Sequence, residues 1–385
     1  MPRKTVADRI FITSPALSCA LGDHLDTIQH ALQHPNISAR IREVLVEKQT
    51  LPYYAAPDSS LDSETAFLSQ LERVVTQTLN SANLNKTERA TTGVFVGSTS
   101  MDISLREQAF LRHSTKTELP GSDGSNIGNI PAYLARLFCL GHMHISISTA
   151  CTASSIALIE GMNMIRAGVI ERALIVGVEG FNYLTLCGFD SLLLLSTVLK
   201  PFDKHREGLI LGEAYASLLL EKEPKKANKS LELLGGAVAT DTESISGNNT
   251  GGEIPARAMA QALHASQISA AEIKAIKAHG TGSVANDLSE AQAISQVFGP
   301  TLPPITAFKP YVGHTLGASG VTELILLSLA LEAGFIPKTF GFQTKDPALK
   351  VTPTTHAAPC EPGAVLLNAF GFGGSCCSYV VSNLK

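Results

Sequence analysis

Short apolar segments alternate along the chain with longer segments of helical periodicity, and this alternation constrains the fold more than any other feature of the sequence. The strand-like runs include residues 93–96, 144–147, 173–176, 217–220 and 364–367. Strand-length apolar runs separated by helical stretches are typical of proteins in which helices cover the faces of a sheet. The sequence therefore predicts an α/β fold.

Two strand-turn-helix units of the sequence resemble each other. The first runs from a strand that ends at Thr149 into a helix rich in small residues, which ends at residues 165–170. The second runs from residues 305–308 through a turn into a helix that begins with small residues and ends at residues 331–336. A repeated unit predicts that the whole fold is duplicated, with one unit in each half.

The length of 385 residues suits two domains or one large duplicated domain. A polar, lysine-rich segment at residues 222–229 interrupts the apolar pattern near the middle of the chain. We interpret this segment as the connection between the halves. We therefore expect an N-terminal half at residues 1–228 and a C-terminal half at residues 229–385.

The composition argues against several classes of protein. Lys and Arg number 30 against 34 Asp and Glu, which gives a net charge of −4, and no basic stripe with interleaved aromatic residues is present. Nucleic-acid binding therefore has no support, and neither a phosphate-binding loop nor a metal-ligand cluster is evident. Charged residues make up only 17% of the chain, against about 25% in typical domains. This low fraction predicts a thick core or a large permanent subunit contact.

The cysteines and the apolar runs bear on the compartment. Seven cysteines, an odd number, occur without a Cys-x-x-Cys pair, which is typical of reduced thiols in the cytosol. The apolar stretch at residues 10–12 faintly resembles a signal peptide, but Asp8 and Arg9 interrupt it. No apolar run approaches the roughly 18 residues of a membrane helix. We expect a cytoplasmic protein without a membrane span.

Cys151 is the strongest candidate for a nucleophile. It lies between a predicted strand and a helix whose first residues are small. Unpaired backbone N–H groups at a helix N-terminus favour the thiolate, which is the reactive form of cysteine. A free cysteine is otherwise a small buried hydrophobic residue, and this interpretation suits the other six. The setting of Cys151, at a strand-to-helix turn, favours nucleophilic chemistry.

A cysteine nucleophile needs a group that moves protons, usually a histidine that is distant in sequence and close in space. Two of the eleven histidines, His279 and His314, lie beside glycines after apolar segments. Glycine allows a ligand to approach the backbone closely. Each histidine taken alone is equally compatible with a structural role.

Five segments, in this order, resemble the elongating type of β-ketoacyl-acyl carrier protein synthase. They are residues 148–154 (Ser-Thr-Ala-Cys-Thr-Ala-Ser), residues 200–208 (Lys-Pro-Phe-Asp-Lys-His-Arg-Glu-Gly), residues 279–283 (His-Gly-Thr-Gly-Ser), Lys309 with residues 313–314 (Gly-His), and residues 370–375 (Phe-Gly-Phe-Gly-Gly-Ser). The resemblance extends from the first strand near Arg9 to the C-terminus. It implies a thiolase fold, in which two similar βαβαβαββ halves form a five-layered α-β-α-β-α arrangement, in agreement with the predicted duplication.

The resemblance also implies a reaction and the residues that perform it. Cys151 takes an acyl group from an acyl-carrier thioester, and malonyl-carrier protein then loses CO2 to give the carbanion that attacks the acyl-enzyme. The backbone N–H groups of Cys151 and Phe372 would form the oxyanion hole. His279 and His314 would stabilise the enolate. The substrates travel on the phosphopantetheine arm of acyl carrier protein, so no further cofactor and no metal is expected.

The same resemblance assigns supporting roles. Lys309 would set the local charge near His314, Phe372 would act as a gate to the acyl pocket, and its neighbouring glycines would act as a hinge. The remaining assignments are Glu323 and Asp287 as acidic partners, and Thr281 and Ser283 as contacts of the phosphopantetheine arm. Lys309, Glu323 and Asp287 are each also compatible with a structural role.

Three features depart from the family pattern. Cys376 stands where the family generally has Asn, and residues 240–244 replace a stretch that commonly carries Tyr and His. The family's basic docking helix near residue 60 appears here as the acidic segment 58–64, which would repel an acidic carrier protein. We therefore expect Lys200, Lys204 and Arg206 to contribute more to docking, or a partner subunit to supply the docking surface.

Several functional alternatives remain open from the sequence. Specialised polyketide or aryl polyene synthesis is favoured somewhat over fatty acid synthesis, with the chain acting as a homodimer or as a heterodimer with a chain-length-factor homologue. An initiating synthase or thiolase is disfavoured, because those enzymes use Cys-His-Asn or Cys-His-Cys centres. A non-catalytic chain-length factor typically lacks the cysteine that this chain has.

Overall fold

The computed structural model describes residues 9–35, 41–46, 49–61, 64–112, 129–224, 231–242 and 250–383. The predicted boundary between residues 228 and 229 falls in the segment 225–230, which lies outside the described residues. The division of the chain into residues 1–228 and 229–385 therefore stays a prediction.

Most of the described strands join one sheet of ten, which runs β10-β9-β13-β14-β8-β1-β7-β6-β4-β5. Its strands are β1 (Phe11–Cys19), β4 (Thr92–Gly97), β5 (His144–Ile147), β6 (Arg172–Glu179), β7 (Ala214–Glu221), β8 (Leu231–Thr240), β9 (Ile273–Lys277), β10 (Ile305–Thr306), β13 (Ala364–Phe370) and β14 (Ser375–Ser382). Two separate pairs are formed by β2 (Ile41–Val46) with β3 (Gln49–Tyr54) and by β11 (Phe335–Ile336) with β12 (Ala358–Pro359).

The pairing within this sheet repeats itself. In the half of the sheet from β1 to β5, β1 and β7 are antiparallel, β7 and β6 are antiparallel, and β6, β4 and β5 run parallel. In the other half, β8 and β14 are antiparallel, β14 and β13 are antiparallel, and β13, β9 and β10 run parallel. The two sets meet where β1 pairs with β8. The predicted duplication is therefore confirmed.

Eleven helices lie within the described residues. They are α1 (Leu25–Gln33), α2 (Glu64–Ala82), α3 (Lys86–Ala90), α4 (Ile103–Arg112), α5 (Asn129–Leu137), α6 (Ala153–Arg166), α7 (Tyr183–Ser191), α8 (Glu253–Ser266), α9 (Val284–Phe298), α10 (Lys309–Val312) and α11 (Ser319–Glu332). Across the same ranges, none of them combines the length and apolarity that crossing a bilayer requires.

The helices form three layers around the two sets of strands. Helices α6 and α11 pack against each other, and each contacts strands from both sets, so they form the central layer. Helix α2 covers β1 and β7 on one outer face, and α8 covers β8 and β14 on the other. This order of layers is the predicted α-β-α-β-α arrangement.

The hydrophobic core follows these layers as three clusters. In β7, Tyr215 and Leu219 belong to the cluster under α2, whereas Leu218 and Leu220 belong to the central cluster. Side chains alternate between the faces of a strand, so a strand that is covered on both faces has a continuous apolar sequence. This double burial explains the uninterrupted apolar runs of the sequence.

Small residues bring the two central helices close together. A Cβ atom added at Gly320 of α11 would lie 2.2 Å from Oγ and 2.5 Å from the backbone N of Ser155 in α6. Only glycine fits at such a distance. The contact fixes the start of α6, which follows Cys151, against the start of α11, which follows His314.

Candidate active site

Cys151 lies in the turn between β5 and α6. Ala150 has a φ of 50°, in the left-handed region that L-residues rarely adopt, and the Thr152 N–H donates to the Thr149 carbonyl at 3.3 Å. Thr152 is the N-cap of α6, so Cys151 lies one residue before the cap. Its side chain is buried in the central core cluster.

His314 contacts the Cys151 side chain directly. Its Nε2 atom lies 3.0 Å from Sγ, although the two residues are 163 positions apart. The backbone of His314 is held on both sides, because its N–H donates to the Ile210 carbonyl at 2.7 Å and its carbonyl accepts from the Gly212 N–H at 3.1 Å. The hydroxyl of Ser319 lies 3.3 Å from Nδ1. A hydroxyl can donate or accept, so either tautomer of His314 finds a partner there.

His279 lies just after β9, and its tautomer follows from its partners. The Glu290 carboxylate accepts from the backbone N–H groups of His279 and Gly280, both at 2.8 Å. Lys309 Nζ donates to the His279 carbonyl at 2.6 Å and lies 3.2 Å from Nδ1. An ammonium group only donates, so Nδ1 accepts and Nε2 carries the hydrogen. The rings of His279 and His314 meet edge to face, with centroids 5.5 Å apart.

A buried chain of charges supports these histidines. Lys309 Nζ also donates to Glu323 Oε1 at 2.8 Å, and the second oxygen of Glu323 accepts from Lys277. All three side chains are buried. Lys277 is not among the residues that the sequence predicted for the site. A signal was present, because Lys277 alternates with Ile273 and Ala275 of the same strand and lies two positions before His279.

Burial and the nearby cations change the pKa values of the site. Burial, helped by Lys309, lowers the pKa of both histidines well below the ordinary range. Burial raises the pKa of Glu323, but Lys277 and Lys309 outweigh it and the net pKa falls. Burial raises the pKa of Cys151 to about 12, against a smaller opposing effect of Lys309. The expectation of a favoured Cys151 thiolate is therefore not met, because desolvation determines the net direction of the pKa.

The raised pKa predicts how Cys151 responds to pH. A thiol with a raised pKa has less thiolate at any given pH, so we expect its alkylation rate to keep rising beyond about pH 9, where an ordinary thiol with a pKa near 8.5 levels off. The rate is measured on the peptide that contains Cys151 after timed iodoacetamide treatment from pH 6 to about pH 10. The exposed Cys139 in the same digest is the internal comparison. A plateau at or below about pH 8 would contradict the raised pKa.

Residues 278–283 form the loop between β9 and α9, and Asp287 lies in the first turn of α9. Asp287 is buried, and its carboxylate accepts from the Phe202 N–H at 2.7 Å and the Gly282 N–H at 3.2 Å. It therefore ties the loop to the segment 200–208. Thr281 and Ser283 lie in this loop, with their hydroxyls 3.0 Å apart.

Phe372 lies beside the turn that holds Cys151. A Cβ atom added at the neighbouring Gly371 would lie 3.0 Å from the Cys151 backbone N. The half-buried Phe372 ring stacks on Phe189, with centroids 5.6 Å apart and an interplanar angle of 22°. Gly373 then has a φ of 77°. The structure thus brings the segment of Phe372 against the Cys151 amide.

The three residues expected to dock a carrier protein differ in exposure. Lys204 is exposed and Lys200 is half-buried. Arg206, in contrast, is buried, and its Nη1 donates to Asp346 Oδ2 at 2.6 Å and to the Asp203 carbonyl at 2.8 Å. The prediction that Arg206 is an exposed docking residue is therefore wrong, because its guanidinium is used inside the protein.

Three departures from the family pattern also have a place in the structure. In the acidic segment, residues 58–61 form a turn before α2 in which Ser60 is buried and donates to Glu213 at 2.7 Å, and residues 62 and 63 lie outside the described residues. Cys376 is buried in β14, where it pairs with Phe370. Of the segment 240–244, the last two residues are outside the described part.

Within the described ranges, no group of three or more His, Cys, Asp and Glu could hold a metal ion.

Two family models match the chain. The model of the β-ketoacyl synthase N-terminal domain matches residues 58–226, and that of the C-terminal domain matches residues 231–343. A mitochondrial protein of Schizosaccharomyces pombe named as a 3-oxoacyl-[acyl-carrier-protein] synthase is 28% identical over 319 residues, which are 76% of this chain and 75% of that protein. The 3-oxoacyl-[acyl-carrier-protein] synthase 1 of Escherichia coli is 30% identical over 270 residues, 66% of this chain and 65% of that protein.

Solved structures share the fold over almost the whole chain. A chain from a complex of a type II polyketide synthase acyl-carrier protein with its ketosynthase matches with a TM-score of 0.88 at 22% identity, covering 98% of this chain and 99% of that one. A chain from the complex of the ketosynthase ApeO with its chain length factor ApeC, from Xenorhabdus doucetiae, matches with a TM-score of 0.83 at 29% identity, covering 99% and 100%. The predicted thiolase fold is thereby confirmed. With both domain models matched in sequence order over most of its length, the chain belongs to the β-ketoacyl synthase family.

Proposed function

We propose that this protein is a β-ketoacyl-acyl carrier protein synthase that condenses a Cys151-bound acyl chain with malonyl-acyl carrier protein. The observation that supports this most is the distance of 3.0 Å between Cys151 Sγ and His314 Nε2, with the ring of His279 against that of His314. A nucleophile beside one imidazole and close to a second suits a reaction with two chemically different steps.

In the first step, the Cys151 thiol attacks the thioester carbonyl of the acyl-carrier protein. Because the thiol is protonated at neutral pH, its proton passes to His314 Nε2 as the S–C bond forms. The proton then goes to the departing thiol of the carrier, so that Cys151 is acylated and the carrier is free. The Cys151 and Phe372 N–H groups hold the tetrahedral oxyanion in this proposal.

In the second step, malonyl-carrier protein binds and its C–CO2 bond breaks. The electron pair moves into the thioester as an enolate, whose oxygen accepts from Nε2–H of His279 and of His314. The carbanion then attacks the acyl carbonyl, and the Cys151 sulfur leaves as a thiolate that takes up one proton from water, because its original proton left with the first carrier. His314 donates here as the other tautomer from that of the first step, with its hydrogen on Nε2 and with Nδ1 accepting from the Ser319 hydroxyl. Because the pKa values of both histidines are lowered, they are neutral donors that do not simply trap the enolate by protonation.

The remaining residues position the substrates. Thr281 and Ser283 contact the phosphopantetheine arm in this proposal, from the loop that Asp287 fixes. Phe372 acts as the gate, with the glycines beside it as the hinge, and the ring that would move is the one stacked on Phe189. Lys204 and Lys200 are the docking cations that remain after Arg206 is excluded. No cofactor besides the carrier-bound substrates is required.

The partner and the compartment belong to the same proposal. We propose a cytoplasmic protein that works as a dimer, either with a second copy or with a chain-length-factor homologue. The likeness to a chain of the complex between a ketosynthase and its chain length factor supports the second arrangement. We propose a polyketide or aryl polyene pathway over fatty acid synthesis because the segment 240–244 and the acidic segment 58–64 depart from the family pattern.

The test is condensation by the purified protein. We expect the chain, alone or with a co-expressed homologue, to convert acyl-carrier protein and malonyl-carrier protein into a β-ketoacyl-carrier protein with two more carbons and one CO2. Mass spectrometry of the carrier protein detects the product. A different result would indicate a chain-length factor: the protein would be folded and never acylated at Cys151, and it would only change the product length of a second synthase. Preference for acyl-CoA as donor would indicate an initiating synthase or thiolase.

A further inference from the structure

Lys277 ends β9 inside the protein, where its neighbours on the strand are apolar. Its side chain is 2% exposed, and its Nζ donates to Glu323 and to the Asn368 carbonyl, the latter at 2.6 Å. Ala275, on the same face of the strand, belongs to the central hydrophobic cluster. Burial of a charged group costs folding free energy, and replacement of a buried ion pair by apolar residues is often neutral or stabilising. An apolar residue at this position would therefore serve the stability of the core equally well or better.

The contacts of Lys277 lead to one catalytic histidine. Its partner Glu323 uses its other oxygen to hold Lys309, which in turn holds Nδ1 and the backbone carbonyl of His279. The group formed by Lys277, Glu323 and Lys309 has two lysines and one carboxylate, so it has a formal excess of one positive charge. Lys277 therefore acts on both the orientation of Glu323 and the charge behind His279.

We propose that Lys277 is a positioning residue for decarboxylation of the malonyl substrate. It fixes Glu323, so that Lys309 keeps His279 with its hydrogen on Nε2, and its charge offsets the enolate that forms in front of that nitrogen. It touches neither substrate nor Cys151. This inference rests on the proposed condensing activity, but it concerns one of the two steps only.

The experiment compares Lys277→Met with Lys274→Met. Lys274 lies on the same strand, but it is exposed and pairs with the exposed Glu361, so its loss controls for removing a lysine from β9. We expect Lys277→Met to lower the kcat of malonyl-carrier protein decarboxylation about tenfold, since slight misplacement of a catalytic group is expensive. We expect acylation of Cys151, followed by intact-protein mass, to stay within about twofold of the parent. Lys274→Met should change neither.

A second pair of variants separates positioning from a merely structural role. If Lys277 acts through Glu323, then Lys277→Met combined with Glu323→Gln should lose no more than about threefold beyond Glu323→Gln alone, because coupled residues are not additive. A loss in the double variant equal to the product of the two single losses would overturn the proposal. So would equal losses in acylation and decarboxylation together with a lower melting temperature, or a Lys277→Met variant as active as Lys274→Met. If the parent protein catalyses neither step, the proposed function itself fails.

Discussion

Cys151→Ala is expected to abolish condensation, with a fall of at least about 1,000-fold in kcat, because removal of a covalent nucleophile leaves only binding and electrostatic effects. The intact protein should also gain no acyl mass when it is mixed with acyl-carrier protein. The change removes one buried sulfur from a turn whose backbone is held by its own hydrogen bonds, so the variant should stay folded.

The chain offers a matched control for this variant. Cys377 is also buried, on β14, and contacts the central core cluster. Cys377→Ala removes the same atom from the core at a site without a histidine partner among the described residues, so it should keep both the acyl adduct and most of the activity. Condensation that persists in Cys151→Ala, or an acyl adduct that disappears equally in Cys377→Ala, would contradict the assignment of the nucleophile.

The sequence predicted the fold well, because the fold depends on patterns that repeat. The strand predicted at residues 144–147 is β5 with the same bounds, and the helices after Cys151 and after His314 end at Arg166 and Glu332, within the predicted terminal segments. Double burial of the strands leaves a strong signal in the sequence, since most positions on both faces are apolar. What the sequence did not show is the short α10 between β10 and His314.

The residues of the site could be predicted from the sequence better than the directions of their pKa shifts. Cys151 and His314, each a candidate from the sequence, are brought to 3.0 Å in a structure where α6 packs against α11, a contact that the sequence did not predict. The direction of the Cys151 pKa could not be predicted, because the helix start is local whereas desolvation depends on the whole central layer. Arg206 was misassigned for the same reason, since Asp346 lies 140 positions away. Lys277 was missed because a lysine in a strand is usually exposed.

The two histidines should separate the two steps of the reaction. The hydrogen bonds of His279 described above go to Lys309 and Glu290, whereas His314 Nε2 lies 3.0 Å from the Cys151 sulfur. We expect His279→Ala to lower the kcat of malonyl-carrier protein decarboxylation by about 100-fold or more, the usual cost of one lost oxyanion donor. The same variant should acylate Cys151 at a rate within about tenfold of the parent.

His314→Ala is expected to impair both steps, because it removes the proposed acceptor of the thiol proton as well as one proposed enolate donor. Burial raises the pKa of Cys151, and His314 is the one base hydrogen-bonded to its sulfur among the described residues, so acylation should fall by about 100-fold or more and recover partly at high pH. Stopped-flow decarboxylation and time-resolved intact-protein mass give the two rates separately, and His264→Ala on α8, at a position away from the site, is the control. If His279→Ala and His314→Ala lost acylation equally, the histidines would act as one structural unit, and the division of proton transfer and enolate binding between them would have to be abandoned.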